Sequence, residues 1–298
     1  MTAFTLAHLS DIHLAPLPIP HRRELIGKRL TGFINWRRAR RFIHDRPTLD
    51  ALVADLKRQH VDHIAVTGDI CNLALPQEFP LGRAWLETLG TPQDVTVVPG
   101  NHDIYVPIGA RLAEQEWGPF MHGDAGETFP FVRRRGDVAL IGLNSGVATA
   151  PFRATGRLGY EQLAALPTIL NKLKEDGCFR VVLVHHPPVS EAGRSKRLVD
   201  APALLAVLAA HGAELLLHGH DHLHMINRLP GPNGMRIAAV GVHSASAAAA
   251  KHPDSAAYHL FQIGGEPGNW RCELISRGLD GQGGVHERLR IDLMSRAT

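Results

Sequence analysis

Short apolar runs that stop at polar, metal-binding side chains recur along the first 220 residues, and segments of helical spacing separate them. Residues 4–9 read as a strand that ends at Ser10 and Asp11, and 63–66 as a second that ends at Gly68 and Asp69. A third, 95–99, feeds Gly100, Asn101, His102 and Asp103. The run 181–184 stops at His185 and His186, and 214–217 precedes Gly219, His220, Asp221 and His222. Between them, Leu49, Leu52, Val53 and Leu56 mark a helix over 48–59, and Leu163, Leu166, Leu170 and Leu173 one over 159–176. Shorter helical patterns cover 83–89, 108–117 and 203–210. Residues 129–132 and 138–143 look like antiparallel strands, and beyond residue 222 only strands are expected, at 236–242, 258–263, 271–275 and 288–293. Strand alternating with helix and followed by strands alone predicts an α/β fold of two sheets face to face with helices outside. With no repeat or linker in view, residues 1–298 form one domain, with a β meander after about 235.

Composition narrows the setting. At 298 residues and 44% hydrophobic content the chain can bury a substantial core. Its apolar runs fall well short of the roughly 20 residues of a membrane span, and no basic-then-apolar leader precedes Asp11. Cys71, Cys178 and Cys272 are too few and too scattered for a disulfide framework or a thiolate zinc site, so a cytoplasmic protein is expected. Charge matters more by position than in total: the net value is +3, yet residues 21–46 hold nine Lys and Arg against Glu24 and Asp45. Gly27 and Gly32 divide this cationic insertion into two short amphipathic pieces, with Trp36 and Phe42 exposed or half buried.

The five strand ends carry side chains that suit a borderline divalent metal, and none is a thiolate. The ordered set Asp11/His13, Gly68-Asp69, Gly100-Asn101-His102-Asp103, His185 and Gly219-His220-x-His222 resembles the calcineurin-like metallophosphoesterases, with every block present over 11–222. His185-His186-Pro187-Pro188 and residues 156–162 are similar to the class III cyclic-nucleotide and glycerophosphodiester phosphodiesterase branch. The resemblance implies a four-layer α-β-β-α sandwich and two divalent ions, Mn, Fe, Zn or Co. Asp11, His13, Asp69 and His222 would hold one, and Asp69, Asn101, His185 and His220 the other. Asp69 would bridge them, and His102 would protonate the leaving group as a bridging hydroxide attacks in line.

A phosphodiester is the expected substrate, with a monoester or a UDP-linked lipid pyrophosphate as the alternatives. A binding protein on the same fold would show eroded ligands, and none is eroded. Asn101 and His102 are also candidate substrate contacts, joined by His186, His243, Arg37 and Arg41, and Asn144 and Ser145 end a strand on the same rim. Asp103 either orients His102 or caps the next segment, and Cys71 is a buried filler. The basic insertion reads as a lid for an anionic substrate, a patch for the inner face of an anionic membrane, a solvated or oligomer-forming face, or a nucleic-acid surface. The last is disfavoured because no nucleic-acid-binding module accompanies it.

Overall fold

The computed structural model describes residues 3–248, 256–280 and 283–295. Two six-stranded mixed sheets pack face to face. The first contains β1 (Phe4–Leu9), β2 (His63–Val66), β3 (Val95–Val97), β10 (Ala257–Glu266), β11 (Asn269–Leu279) and β12 (Val285–Asp292), in the order β12-β11-β10-β1-β2-β3. The second holds β4 (Phe131–Arg135), β5 (Val138–Gly142), β6 (Phe179–Leu183), β7 (Leu215–His218), β8 (Met225–Pro230) and β9 (Arg236–Gly241), in the order β4-β5-β6-β7-β9-β8. Among the described residues six α-helices accompany them: α1 (Lys28–Arg38), α2 (Arg46–Lys57), α3 (Glu78–Leu89), α4 (Ile108–Met121), α5 (Tyr160–Glu175) and α6 (Ala201–His211). None is long and apolar enough to cross a membrane.

The two-residue period of the strands sorts their side chains between layers. Leu6, Ala65, Phe261 and Leu274 of the first sheet meet Leu140, Val181, Leu217 and Val240 of the second in the inter-sheet core. Their neighbours Ala7, Leu9, Ile64, Val66 and Val97 face the opposite way, onto Leu49, Leu52 and Leu56 of α2, Phe79 and Leu86 of α3, and Trp117 of α4. On the far side Ile141, Val182, Leu216 and Ala239 pack on Leu166 and Leu170 of α5 and Leu204 and Leu208 of α6. The expected four layers are therefore present.

Three expectations need correction. The insertion is not two short pieces: α1 runs unbroken through Gly32, and a 3-10 turn over Arg40–Phe42 follows it. A Cβ at Gly32 would strike the Tyr105 hydroxyl and Leu73, so this glycine marks close approach rather than a helix break. The strand over 225–230 was not anticipated, because as an edge strand it is only half buried and shows no clean alternation. Nor does one meander follow residue 235. β9 belongs to the second sheet, parallel to β7, and only β10–β12 form the antiparallel meander, beside β1.

Candidate metal centre

The carboxyl ends of β1, β2, β3, β6, β7 and β9 come together where the two sheets meet, the position at which α/β folds expose reactive groups. Beyond β1 and β2 the backbone pairing continues, with Asp11 N–H donating to Gly68 O (3.0 Å) and His13 N–H to Asp69 O (2.8 Å). Across the sheets, His220 N–H donates to Asp11 Oδ2 (3.0 Å) and the Ser244 hydroxyl to Asp11 O (2.6 Å). Asp103 joins the second and third loops. Its carboxylate accepts the backbone N–H groups of Asp69, Cys71 and Gly100, each at 2.8 Å, which is neither of the two roles expected of it.

Around this frame Asp69 lies at the middle. Its Oδ2 is 3.4 Å from His185 Nε2 and 3.9 Å from His13 Nε2, and its Oδ1 accepts the His102 N–H at 2.6 Å. Asp11 Oδ1 is 3.1 Å from His222 Nε2. Donor atoms of Asp11, His13 and His222, of Asp11, Asp69 and His185, and of His185, His186 and His220 lie within 4.8 Å of one another in each set. Asn101 is buried beside them, and its Oδ1 makes no hydrogen bond. An amide oxygen left without a donor in the interior is costly unless another electrophile takes it. Burial alone would raise the Asp69 carboxyl, but the His185 imidazole beside it holds it well below the usual carboxylate range.

The imidazoles are held with their far nitrogens on carbonyls. His13 Nδ1 meets Cys71 O (3.0 Å), His185 Nδ1 meets Thr67 O (2.6 Å), and His220 Nε2 meets Lys196 O (2.8 Å). A carbonyl only accepts, so each of these nitrogens carries a proton, which leaves the other nitrogen of each ring as the one a metal would take. Second partners of this kind fix metal-ligating histidines. Backbone strain marks the same residues: Asp11, His13, Asp69, His220 and His222 all have φ between 39° and 71°. Side chains other than glycine adopt this region at a cost of about 1–3 kcal/mol each, and such strain gathers at functional sites.

His102 lies 5.0 Å, ring centroid to centroid, from His13 and stacks on Tyr105. Its Nδ1 is 2.5 Å from Asn72 O, so its Nε2 is the acceptor, 2.7 Å from Arg40 Nη1. Burial first, and then Arg40, push its pKa down to about 3. Six residues expected at the substrate are placed otherwise. Both nitrogens of His186 are engaged, by the Ser145 hydroxyl (2.8 Å) and Ala154 O (3.2 Å), so neither His186 nor Ser145 is open to a substrate. Asn144 Oδ1 accepts the Gly146 N–H inside its own loop. His243 sits behind His222, with Nδ1 3.1 Å from that residue's carbonyl. Arg37 and Arg41 are exposed and lie against the rings of Phe33 and Phe42, outside the cavity.

Lys28 and Arg40, not singled out in the sequence, take their place in a cavity of about 1010 Å³ that also contains Asp69, Asn101, His102, His220 and His222. Arg40 Nη2 lies 2.8 Å from His13 Nε2. The signal for these residues was Gly32. A glycine that marks a close helix contact puts Lys28, Asn35 and Trp36 on the inward side as well. Burial lowers the Lys28 ammonium to about 8, and its Nζ lies 2.6 Å from Thr149 Oγ1. The charge is present below that pKa and lost above it. The ratio of wild-type kcat/KM to that of Lys28→Met on an anionic phosphoester should therefore shrink as pH rises through 8, and a ratio constant across paired pH–rate profiles would exclude Lys28 from substrate binding.

Among solved structures, a dimetal phosphatase from Danio rerio superposes with a TM-score of 0.65 at 15% identity, over 98% of this chain and 100% of that one. Purple acid phosphatase PPD1 from yellow lupin seeds gives 0.59 at 14% identity, over 98% of this chain and 54% of that one. At such identities the likeness concerns the fold. A probable cyclic nucleotide phosphodiesterase of Synechococcus is 32% identical over 182 residues, 59% of this chain, and the match spans 64% of that protein. Residues 4–224 match the family model of calcineurin-like phosphoesterases, and the chain belongs to that family.

Proposed function

We propose that the protein is a phosphodiesterase that works with two divalent metal ions, one on Asp11, His13, Asp69 and His222 and one on Asp69, Asn101, His185 and His220. The observation that carries this reading is Asp69, which lies between His13 and His185 with its carboxylate turned to both. The orphaned Asn101 oxygen and the carbonyl-tethered imidazoles fit the same ions. The donor set mixes nitrogen and oxygen, which favours Mn, Fe, Zn or Co over Mg or Ca. Bound there, the ions would supply Lewis-acid polarisation of the phosphoryl oxygens and a water of lowered pKa.

The chain's own residues do the rest. His102, with its Nδ1 proton on Asn72 O, is oriented to hold a proton at Nε2 for the leaving oxygen. Arg40 and Lys28 bring cationic groups to the anionic phosphoryl group. The cavity has room for a substituent on each side of a phosphodiester, and the name of the Synechococcus relative points the same way. The deciding experiment is metal analysis together with turnover of bis-p-nitrophenyl phosphate and p-nitrophenyl phosphate. About two metal ions per chain, faster diester turnover and loss of both with EDTA are expected. A monoester preference would move the reading to a phosphatase, and inertness with every divalent ion would end it.

Arg40 tests the substrate side separately. Its guanidinium and an ion on His13 would use the same Nε2 lone pair, so with a metal bound Arg40 would be free to meet the substrate instead. Arg40→Ala should raise KM about 10- to 100-fold, the worth of a charge-assisted hydrogen bond, while metal affinity holds or tightens. Weaker metal binding in this variant, measured by titration, would contradict that division.

A further inference from the structure

The helix that closes the cavity has two faces. At 100° per residue, Lys28, Gly32, Asn35 and Trp36 fall on one side of α1, and all four line the cavity. Leu30, Ile34 and Arg37 fall on the opposite side, where Leu30 is 45% and Ile34 41% exposed. Just outside the helix Ile26 is 72% exposed. Arg22, Arg23, Arg37, Arg38 and Arg41 around them are exposed as well. No salt bridge neutralises these five among the described residues, whereas Arg46 beyond them pairs with Asp50 at 2.7 Å. Exposed large apolar side chains among unneutralised arginines are the mark of a surface that enters the boundary of an anionic bilayer.

The cavity on the other side of the helix is partly apolar as well. Trp36 and Ile43 line it from the insertion, and Leu223, Met225 and Ile226 from the other side, while Phe152 is 86% exposed at the lining. Apolar groups thus lie beside the polar floor formed by Asp69, Asn101 and His102. Two copies of the chain meeting through this cationic face would repel one another, and a nucleic acid gives Leu30, Ile34 and Ile26 nothing apolar to enter.

We propose that the outer face of α1 docks on an anionic lipid surface and that the cavity takes from it an amphiphilic phosphodiester, with the phosphate at the Asp69 centre and the apolar chain along Trp36, Ile43 and Leu223. This rests on the phosphodiesterase reading of the centre. Lipid contact holds the enzyme where its substrate is concentrated, and each arginine at the surface strengthens binding roughly fivefold.

The test uses the full metal-loaded chain, flotation with phosphatidylcholine vesicles with and without phosphatidylglycerol, and two p-nitrophenyl diesters, one bearing an ethyl and one a hexadecyl group. The wild type should float only with the anionic vesicles and turn over the hexadecyl ester there with a kcat/KM at least about tenfold above that of the ethyl ester. Leu30→Ser/Ile34→Ser and Arg22→Gln/Arg38→Gln should lose flotation and that advantage, yet hydrolyse the soluble ethyl ester as the wild type does. That control also reports folding. A wild type that stays with the soluble fraction, variants that still float, or flotation without any hexadecyl advantage would each overturn the proposal. So would the same substitutions abolishing self-association or binding of an oligonucleotide instead. Failure on the ethyl ester by the wild type would instead indict the phosphodiesterase reading beneath it.

Discussion

Asp69→Ala is expected to release metal from both positions at once and to lower kcat by more than about 10⁴, since removing a member of one cooperative catalytic unit costs nearly the whole enhancement. The expectation follows from geometry. Asp69 Oδ2 lies 3.4 Å from His185 Nε2 and 3.9 Å from His13 Nε2, between residues assigned to different ions. Asp69 Oδ1 also holds the His102 backbone, so the variant frees the loop that carries the proposed general acid. Asp11→Ala removes a carboxylate from one ion only and is the control. It should leave about one metal per chain where Asp69→Ala leaves none. Metal analysis of the two variants after gel filtration decides the matter. Equal stoichiometry in both, or an Asp69→Ala protein that keeps two ions, would show that Asp69 is not shared. Circular dichroism must show both variants folded, because Asp69 N–H is also one of the three donors to Asp103.

Much of this candidate centre could be read from the chain because each proposed ligand sits where a buried strand stops. Leu9, Val66 and Val184 are fully buried apolar residues, and Asp11, Asp69 and His185 follow them within three positions. The layers were legible for a related reason: alternate residues of β1 and β2 serve different cores, so both sides had to be apolar. What could not be read depends on contacts between distant segments. Asp103 looked like a local cap, but its three donors come from two loops brought together by the sheet. Charge density points to Arg37 and Arg41 as substrate contacts, but it does not reveal which side of a helix turns inward. Propensity alone makes Gly32 a helix breaker, whereas the Tyr105 hydroxyl and Leu73 against it account for a glycine inside a continuous helix. The left-handed backbone at Asp11, His13, Asp69, His220 and His222 left no sequence trace, because only glycine advertises that conformation.

His102→Ala should keep both metals and lose about 10²–10⁴ in kcat on an ester with a poor leaving group, the usual worth of a positioned general acid. The ring makes one firm contact through Nδ1 to Asn72 O, which leaves Nε2 as the only nitrogen able to deliver a proton. Burial and Arg40 keep the free imidazole neutral, with a pKa near 3. The proton on Nε2 therefore has to be supported by the arriving phosphate, whose negative charge draws Arg40 away and favours the imidazolium. A dependence on leaving group follows. A nitrophenolate departs without a proton, so bis-p-nitrophenyl phosphate should lose far less turnover in this variant than a dialkyl diester does. His102→Gln, which retains a hydrogen-bonding group but no titratable proton, should resemble His102→Ala on the dialkyl ester. Equal losses on both esters would mean that His102 serves binding or metal retention rather than proton transfer, and unchanged turnover on the dialkyl ester would remove it from the chemistry.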